Sequence, residues 1–137
     1  EVELLNPQEP LFTRGDSPVN NNSVVLRLTF RRVSLLLVGD LEKRGEKRVL
    51  SPGRDIGSQI LKVGHQGSKD ASSEEFLRAV QPEVAIISVG QGNQFGHPHP
   101  ETLDRLENLG ARVLRTDLNG TIIIATDGTA YWVETER

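Results

Sequence analysis

Compact apolar runs punctuate an otherwise polar chain, and their periods separate strands from helices. Val2 to Leu5 reads as a strand, and Ser23 to Phe30 alternates apolar and polar residues at its end (Leu26, Arg27, Leu28, Thr29, Phe30). Val33 to Val38 is almost wholly apolar, the pattern of a strand covered on both faces, with Arg31-Arg32 making the turn before it. Residues 6–22 mix Pro7, Pro10, Gly15, Pro18 and Asn20-Asn21-Asn22, which disfavours helix and strand interiors and predicts a long loop. Leu41 to Leu50 carries apolar residues only at Leu41, Val49 and Leu50, predicting a mostly exposed helix that Gly45 weakens and Ser51-Pro52-Gly53 ends.

Gln59 to Val63 reads as the next strand. Ser72 to Val80 follows as a helix whose Phe76, Leu77 and Val80 share a face, with Ser72 as N-cap and Glu75 three residues on in a capping-box arrangement. Val84 to Val89 is a further buried-type strand, and a glycine-rich loop (Gly90, Gly92, Gly96) leaves it. Pro100 opens a helix that Gly110 closes, with Leu103, Leu106 and Leu109 between. Three strands finish the chain at Val113 to Arg115, Thr121 to Thr126 and Thr129 to Glu134, with hairpin-type turns at Asn119-Gly120 and Asp127-Gly128. The alternation predicts an α/β fold with a mixed sheet and helices on its outer face.

With 137 residues the chain has one domain's worth of sequence. A net charge of −3 supplies no global positive field, so any nucleic-acid role needs a local basic face or a bound metal. The lysines and arginines at 43, 44, 47 and 48 cluster, but Glu42 and Glu46 interleave, which favours a solvated helix face. There is no cysteine, so disulfides and thiolate ligands are excluded. The apolar stretches fall short of the roughly 18 residues of a spanning helix, and a soluble piece is expected. Glu1 lies inside a strand-like segment, so a fragment or processed piece is expected.

The candidate chemistry sits where buried-type strands end. Asp40 follows one such strand in Val38-Gly39-Asp40, placed either to bind a hard metal ion or to N-cap the following helix. His65 leaves a second strand between Gly64 and Gly67, and His97 and His99 lie in a proline-stiffened loop after a third. One of these last two imidazoles could instead cap the next helix while the other is solvated. A carboxylate and three imidazoles are residue types used in metal-assisted hydrolysis, but zinc sites want at least three protein ligands. The residues alone carry the reading to an incomplete metal site.

Several segments resemble the metallo-β-lactamase-fold domain of ComEC-type competence proteins. Asn20 to Leu28 is similar to that family's Asn-Asn-Ser-Val-Val-Leu strand, and Val38-Gly39-Asp40-Leu41-Glu42 to its Thr-Gly-Asp-Ile-Glu step. Leu61 to Ser68 resembles Leu-Lys-Val-x-His-His-Gly-Ser, and Ile87 to Pro98 resembles Ile-Ser-Val-Gly…Asn-x-Tyr-Gly-His-Pro. Arg115-Thr116-Asp117 and Gly120-Thr121-Ile122 resemble its closing strands. The resemblance implies the C-terminal half of an αββα sandwich, with residues 1–137 as one partial domain whose N-terminal half is absent. It implies Asp40 and His65 as ligands in a two-ion zinc or manganese centre, His97 as a catalytic residue, and Ser68, Asn93 and His99 as substrate-binding residues.

The implied partners are the missing half or a second copy, single-stranded DNA, and the channel domain of a membrane protein. The implied place is the outer face of a bacterial cytoplasmic membrane, and the implied activity a nuclease that degrades the strand not taken up. A degenerate DNA-handling module and a stand-alone hydrolase are the alternatives. The family's HxHxDH-like loop is absent from these residues, Gln66 replaces the second histidine of the pair, and Phe95 stands where tyrosine is usual. A half sandwich would leave an apolar sheet face uncovered, so the chain is expected to dimerise or to pair with its missing half.

Overall fold

The computed structural model describes all of residues 1–137. Six strands form one mixed sheet in chain order: β1 (Val2–Asn6), β2 (Val25–Phe30), β3 (Val33–Leu37), β4 (Ile60–Lys62), β5 (Val84–Ile87) and β6 (Arg112–Arg115). The first three pair antiparallel, and β3 to β6 run parallel. Parallel neighbours need crossovers, and α2 (Lys43–Val49), α3 (Glu74–Val80) and α4 (Pro100–Asn108) supply them. The helices bury Leu41, Val49, Phe76, Leu77, Val80 and Leu106 against Val25, Leu36, Leu61, Ala85 and Ile87 in one core on one face of the sheet. The expected mixed α/β sheet with helices on a single face is therefore present.

The opposite face is covered unevenly. After β6 the chain makes a short helix, α5 (Thr116–Asn119), and then a separate hairpin of β7 (Ile122–Thr126) and β8 (Tyr131–Thr135). Asn119-Gly120 is thus not a hairpin turn joining sheet neighbours. Thr116 to Asn119 coil first, and the strands that follow leave the main sheet. Asp127 does shape the hairpin turn, its Oδ1 accepting the Thr129 and Ala130 N–H groups at 2.8 and 2.9 Å. The hairpin is tied down by Arg32 N–H to Gly128 O and by the Tyr131 hydroxyl donating to Glu83 at 2.6 Å. Beneath it lie Val33, Ile60, Val84 and Leu114, buried yet outside the helix-side core. Towards β1 the same face is open: Val2 is 69%, Leu4 60% and Phe30 51% exposed.

Three local expectations need correction. Residues 6–22 are not all loop, because Pro18–Asn21 form a four-residue helix, α1, opened by its proline. α2 is not a mostly exposed helix. Gly45 and Glu46 are buried, and Gly45 is required, since a Cβ there would strike Leu41 and the Asn21 carbonyl. Arg44 and Arg48 of this helix place their guanidinium groups 4.3 and 3.7 Å from the Phe12 ring centre, pinning the preceding loop rather than facing only solvent. The cap of α3 falls one residue later than expected: Ser73 Oγ accepts the Phe76 N–H at 3.3 Å. The Ser72 and Ser73 N–H groups are instead taken by the buried Glu46 carboxylate, a long-range cap the local motif does not encode.

Candidate active site

The ends of β3, β4, β5 and β6 meet at one edge of the sheet, and the candidate residues lie on the loops that leave them. The β3 loop and the β4 loop are joined directly, the His65 N–H donating to Gly39 O at 3.0 Å. The Asp40 N–H is held by Ser23 Oγ at 3.2 Å and its carboxylate is exposed. The N-cap position of α2 belongs to Glu42, so Asp40 is not the cap of that helix.

Asn20, Asn21 and Asn22 brace this corner. Asn20 donates to Glu42 at 2.9 Å, buried Asn21 accepts from the Gly45 N–H at 2.7 Å, and Asn22 exchanges two hydrogen bonds with the Phe12 backbone. Glu42 in turn lies 3.1 Å from His65 Nδ1. A carboxylate can only accept, so Nδ1 carries a proton, and in the neutral ring Nε2 is then the nitrogen that keeps a lone pair for another group.

His65 and Gln66 both occupy the left-handed backbone region, at φ 46° and 53°. Two non-glycine residues in that region in succession are strained, and such strain persists only where surrounding contacts enforce it. Here the His97 loop, distant in sequence, supplies much of the enforcement. His99 N–H donates to Gly67 O at 3.0 Å, Ser68 N–H to His65 O at 2.9 Å, and a Cβ on Gly67 would lie 2.6 Å from that of Pro98. Gln66 is exposed and makes no side-chain hydrogen bond. Ser68 is 3% exposed, with its hydroxyl on the Asp70 N–H.

Three imidazoles stand in a row. His65 and His97 are 5.5 Å apart between ring centres, and His97 and His99 are 4.8 Å apart, both edge to face. His97 Nδ1 is buried without a hydrogen-bond partner. Burial first, then the His99 and His65 rings, hold His97 below the ordinary histidine value, opposed by the Asp40 charge, so it is neutral at neutral pH. His99 sits at the N-cap position of α4 without capping it, because its Nδ1 accepts the Lys69 N–H at 3.0 Å. Asn93 is spent on its own loop, accepting from Phe95 N–H and His97 N–H and donating to Gly90 O and His97 O.

Three features escaped the sequence reading. Glu42 read only as a helix charge, although a carboxylate two residues after Asp40 was the available signal. Lys62 projects from the central strand with its Nζ on Val63 O, and burial holds its pKa below the ordinary lysine value against the pull of Asp40. Beyond β6, the Thr116 hydroxyl bridges both backbone groups of Val89, and Arg115 and Asp117 form a two-pronged ion pair at 2.9 and 2.6 Å. Only the tertiary fold puts these beside the glycine-rich loop.

The donor set is short for a metal. Asp40, His65 and His97 lie near one another, but no group of three His, Asp or Glu side chains in the chain is arranged to hold an ion. These residues alone do not fit a metal centre, and any such centre needs donors from elsewhere.

No family model matches the chain. Over 122 residues, 89% of its length, it is 43% identical to ComE operon protein 3 of Bacillus subtilis. It is 38% identical over 123 residues to competence protein ComA of Neisseria gonorrhoeae and 36% identical over 121 residues to recombination protein 2 of Haemophilus influenzae, again across most of its length. The chain is a homologue of ComEC-type competence proteins. It spans only 15%, 17% and 14% of those three relatives. The loops bearing Asp40, His65 and His97 are thus one strand-end corner of a competence-protein homologue. No helix in it is long and apolar enough to cross a membrane.

Proposed function

We propose that this chain contributes one side of a metal-dependent phosphodiesterase site in a DNA-uptake protein, the remaining ligands coming from parts of the protein outside these residues. The observation that carries the reading is the buried, unpartnered Nδ1 of His97 beside His65, whose Nε2 Glu42 leaves free. Buried polar atoms are rarely left without partners, and an orphan among imidazoles and a carboxylate points to a missing group. With donors supplied from elsewhere, Asp40 and His65 Nε2 would be the residues of this chain that hold zinc or manganese, two ions in the complete site, and His97 would be turned to the substrate phosphate. When bound, the ions neutralise charge developing on the phosphate. In this reading the sandwich fold is completed against the open sheet face, single-stranded DNA is the substrate, and the domain works beside a membrane channel on the outer side of the membrane.

A second reading, a DNA-handling module without chemistry, is favoured by Gln66, whose exposed amide replaces an imidazole on the strained turn. Metal content and manganese- or zinc-dependent cleavage of single-stranded DNA by the full-length gene product decide between them. Two bound ions and cleavage, both abolished by Asp40→Ala, are expected from the first; a metal-free, inert product gives the second.

A further inference from the structure

We propose that Phe95 is the specificity-determining residue of this site, stacking a nucleobase next to the phosphodiester being cleaved; the inference rests on the phosphodiesterase reading above. Phe95 is 63% exposed, yet its backbone is fixed. Asn93 Oδ1 accepts the Phe95 and His97 N–H groups at 3.1 and 3.0 Å, while its Nδ2 donates to Gly90 O and His97 O at 3.2 and 2.7 Å. Four hydrogen bonds from one amide hold the loop that presents the ring without burying the ring itself. The Phe95 ring lies on His97, with ring centres 5.8 Å apart and planes inclined by 28°, and much of the rest meets solvent.

The other phenylalanines have structural employment. Phe12 is gripped by Arg44 and Arg48, Phe76 fills the core, and Phe30 lies under Arg31 at the first hairpin. Phe95 alone stands among the strand-end loops, in contact with the imidazole that faces the phosphate. A nucleobase is the part of a phosphodiester substrate that matches a flat exposed ring, and every base offers a face for stacking.

Charge supports the same placement. All four lysines of the chain lie between positions 43 and 69, and none is ion-paired. Lys69 precedes α3 and holds His99 through its backbone, whereas Lys43 at the start of α2 stands among Asp16, Glu42 and Asp70. Both are exposed. The strand's phosphates lie toward Lys69, next to the histidines, and its base toward Phe95, with His97 between them. A base that stacks on Phe95 has left its own stack, so the site discriminates in favour of strands whose bases are free.

The test uses the full-length gene product, its Phe95→Ala variant and its Phe95→Trp variant. Binding is read without turnover, in chelator, from the fluorescence of an oligonucleotide carrying 2-aminopurine, which is quenched on stacking. Wild type and Phe95→Trp are expected to quench it, and Phe95→Ala to lose the quench and bind about tenfold more weakly. With manganese present, the preference in kcat/KM for an intact strand over one with abasic residues flanking the cleaved bond falls about tenfold in Phe95→Ala and returns in Phe95→Trp. Retained quenching in Phe95→Ala, or equal losses on intact and abasic strands, overturns the inference while leaving the phosphodiesterase reading intact. Quenching by a wild type that never cleaves removes the phosphodiesterase and leaves only a stacking contact. A wild type that neither binds nor cleaves removes both.

Discussion

At His65 the imidazole is steered from one side: Glu42 accepts a hydrogen bond from Nδ1–H at 3.1 Å, and Asn20 donates to Glu42 at 2.9 Å. If Nε2 binds metal, Glu42→Gln weakens that binding about 10–100-fold, because the amide no longer fixes which nitrogen is protonated. A metal titration of the full-length product checks this. Undiminished affinity would mean that the left-handed turn alone aims the ring. Gly67 is a second point of dependence. Its φ is 81° and its would-be Cβ meets Pro98, so Gly67→Ala is expected to destabilise the chain by about 2–3 kcal/mol and to shift the His97 loop. Chemical denaturation measures the first effect, and an unaltered midpoint would show that the two loops separate easily. The residue types at 40, 65, 97 and 99 were legible as chemistry. Their partners were not, since Glu42 and Lys69 look like ordinary polar residues until the loops are brought together, and Asn93, expected on substrate, is bonded within its own loop.

At the scale of elements, two carboxylates tie segments together with opposite dependence on pH. Asp117 is held below the ordinary aspartate value of 3.8, first by its hydrogen bonds from Arg115. A depressed folded value means that its stabilisation is present above the unfolded pKa and disappears as pH falls through the folded one. Asp117→Asn is therefore expected to lower stability by about 1–2 kcal/mol at pH 7, and the deficit should close at an acid pH below that lowered value. Thermal unfolding at both pH values tests this, and a deficit that is constant with pH would remove the ion pair as its cause. Glu46 behaves the other way. Burial raises its pKa against the Ser73, Ser72 and Arg105 interactions, so its contribution is largest in acid and declines as pH rises through the raised value. Glu46→Gln turns an NH2 group towards two N–H donors and is expected to loosen the start of α3. Its stability gap from wild type narrows as pH increases. Local sequence placed α2, α3 and α4 within a residue or two, because Ser-rich starts and Gly or Pro stops act over short distances, but it read the short α1 and α5 as loop and turn. Gly45 and Glu46 were misjudged because their roles depend on Asn21 and Ser72, distant in sequence.

For the whole molecule, the uneven covering of the sheet matters most. Val2, Leu4 and Phe30 stay exposed on β1 and β2, whereas the hairpin shields Val33 and Ile60 on the same face. The isolated chain is expected to self-associate in sedimentation experiments, and Leu4→Lys should return it to monomer, since a charge on an apolar contact carries a desolvation penalty. A monodisperse wild-type monomer would show that this face needs no cover. In the full-length protein the expectation is that another part of the chain lies there. The relatives extend far beyond the matched segment, which leaves chain available for that role.

Sequence by itself determined the order of the strands and of the three crossover helices, the mixed α/β class, and the positions of Asp40, His65 and His97 after buried-type strands, because periodicity and turn chemistry are properties of near neighbours. Tertiary structure alone decided that β7 and β8 leave the main sheet, that the three histidines stand in a row, and that His97 Nδ1 is left without a partner. Those outcomes depend on which strand ends meet and which faces are covered, and no short stretch of sequence encodes either.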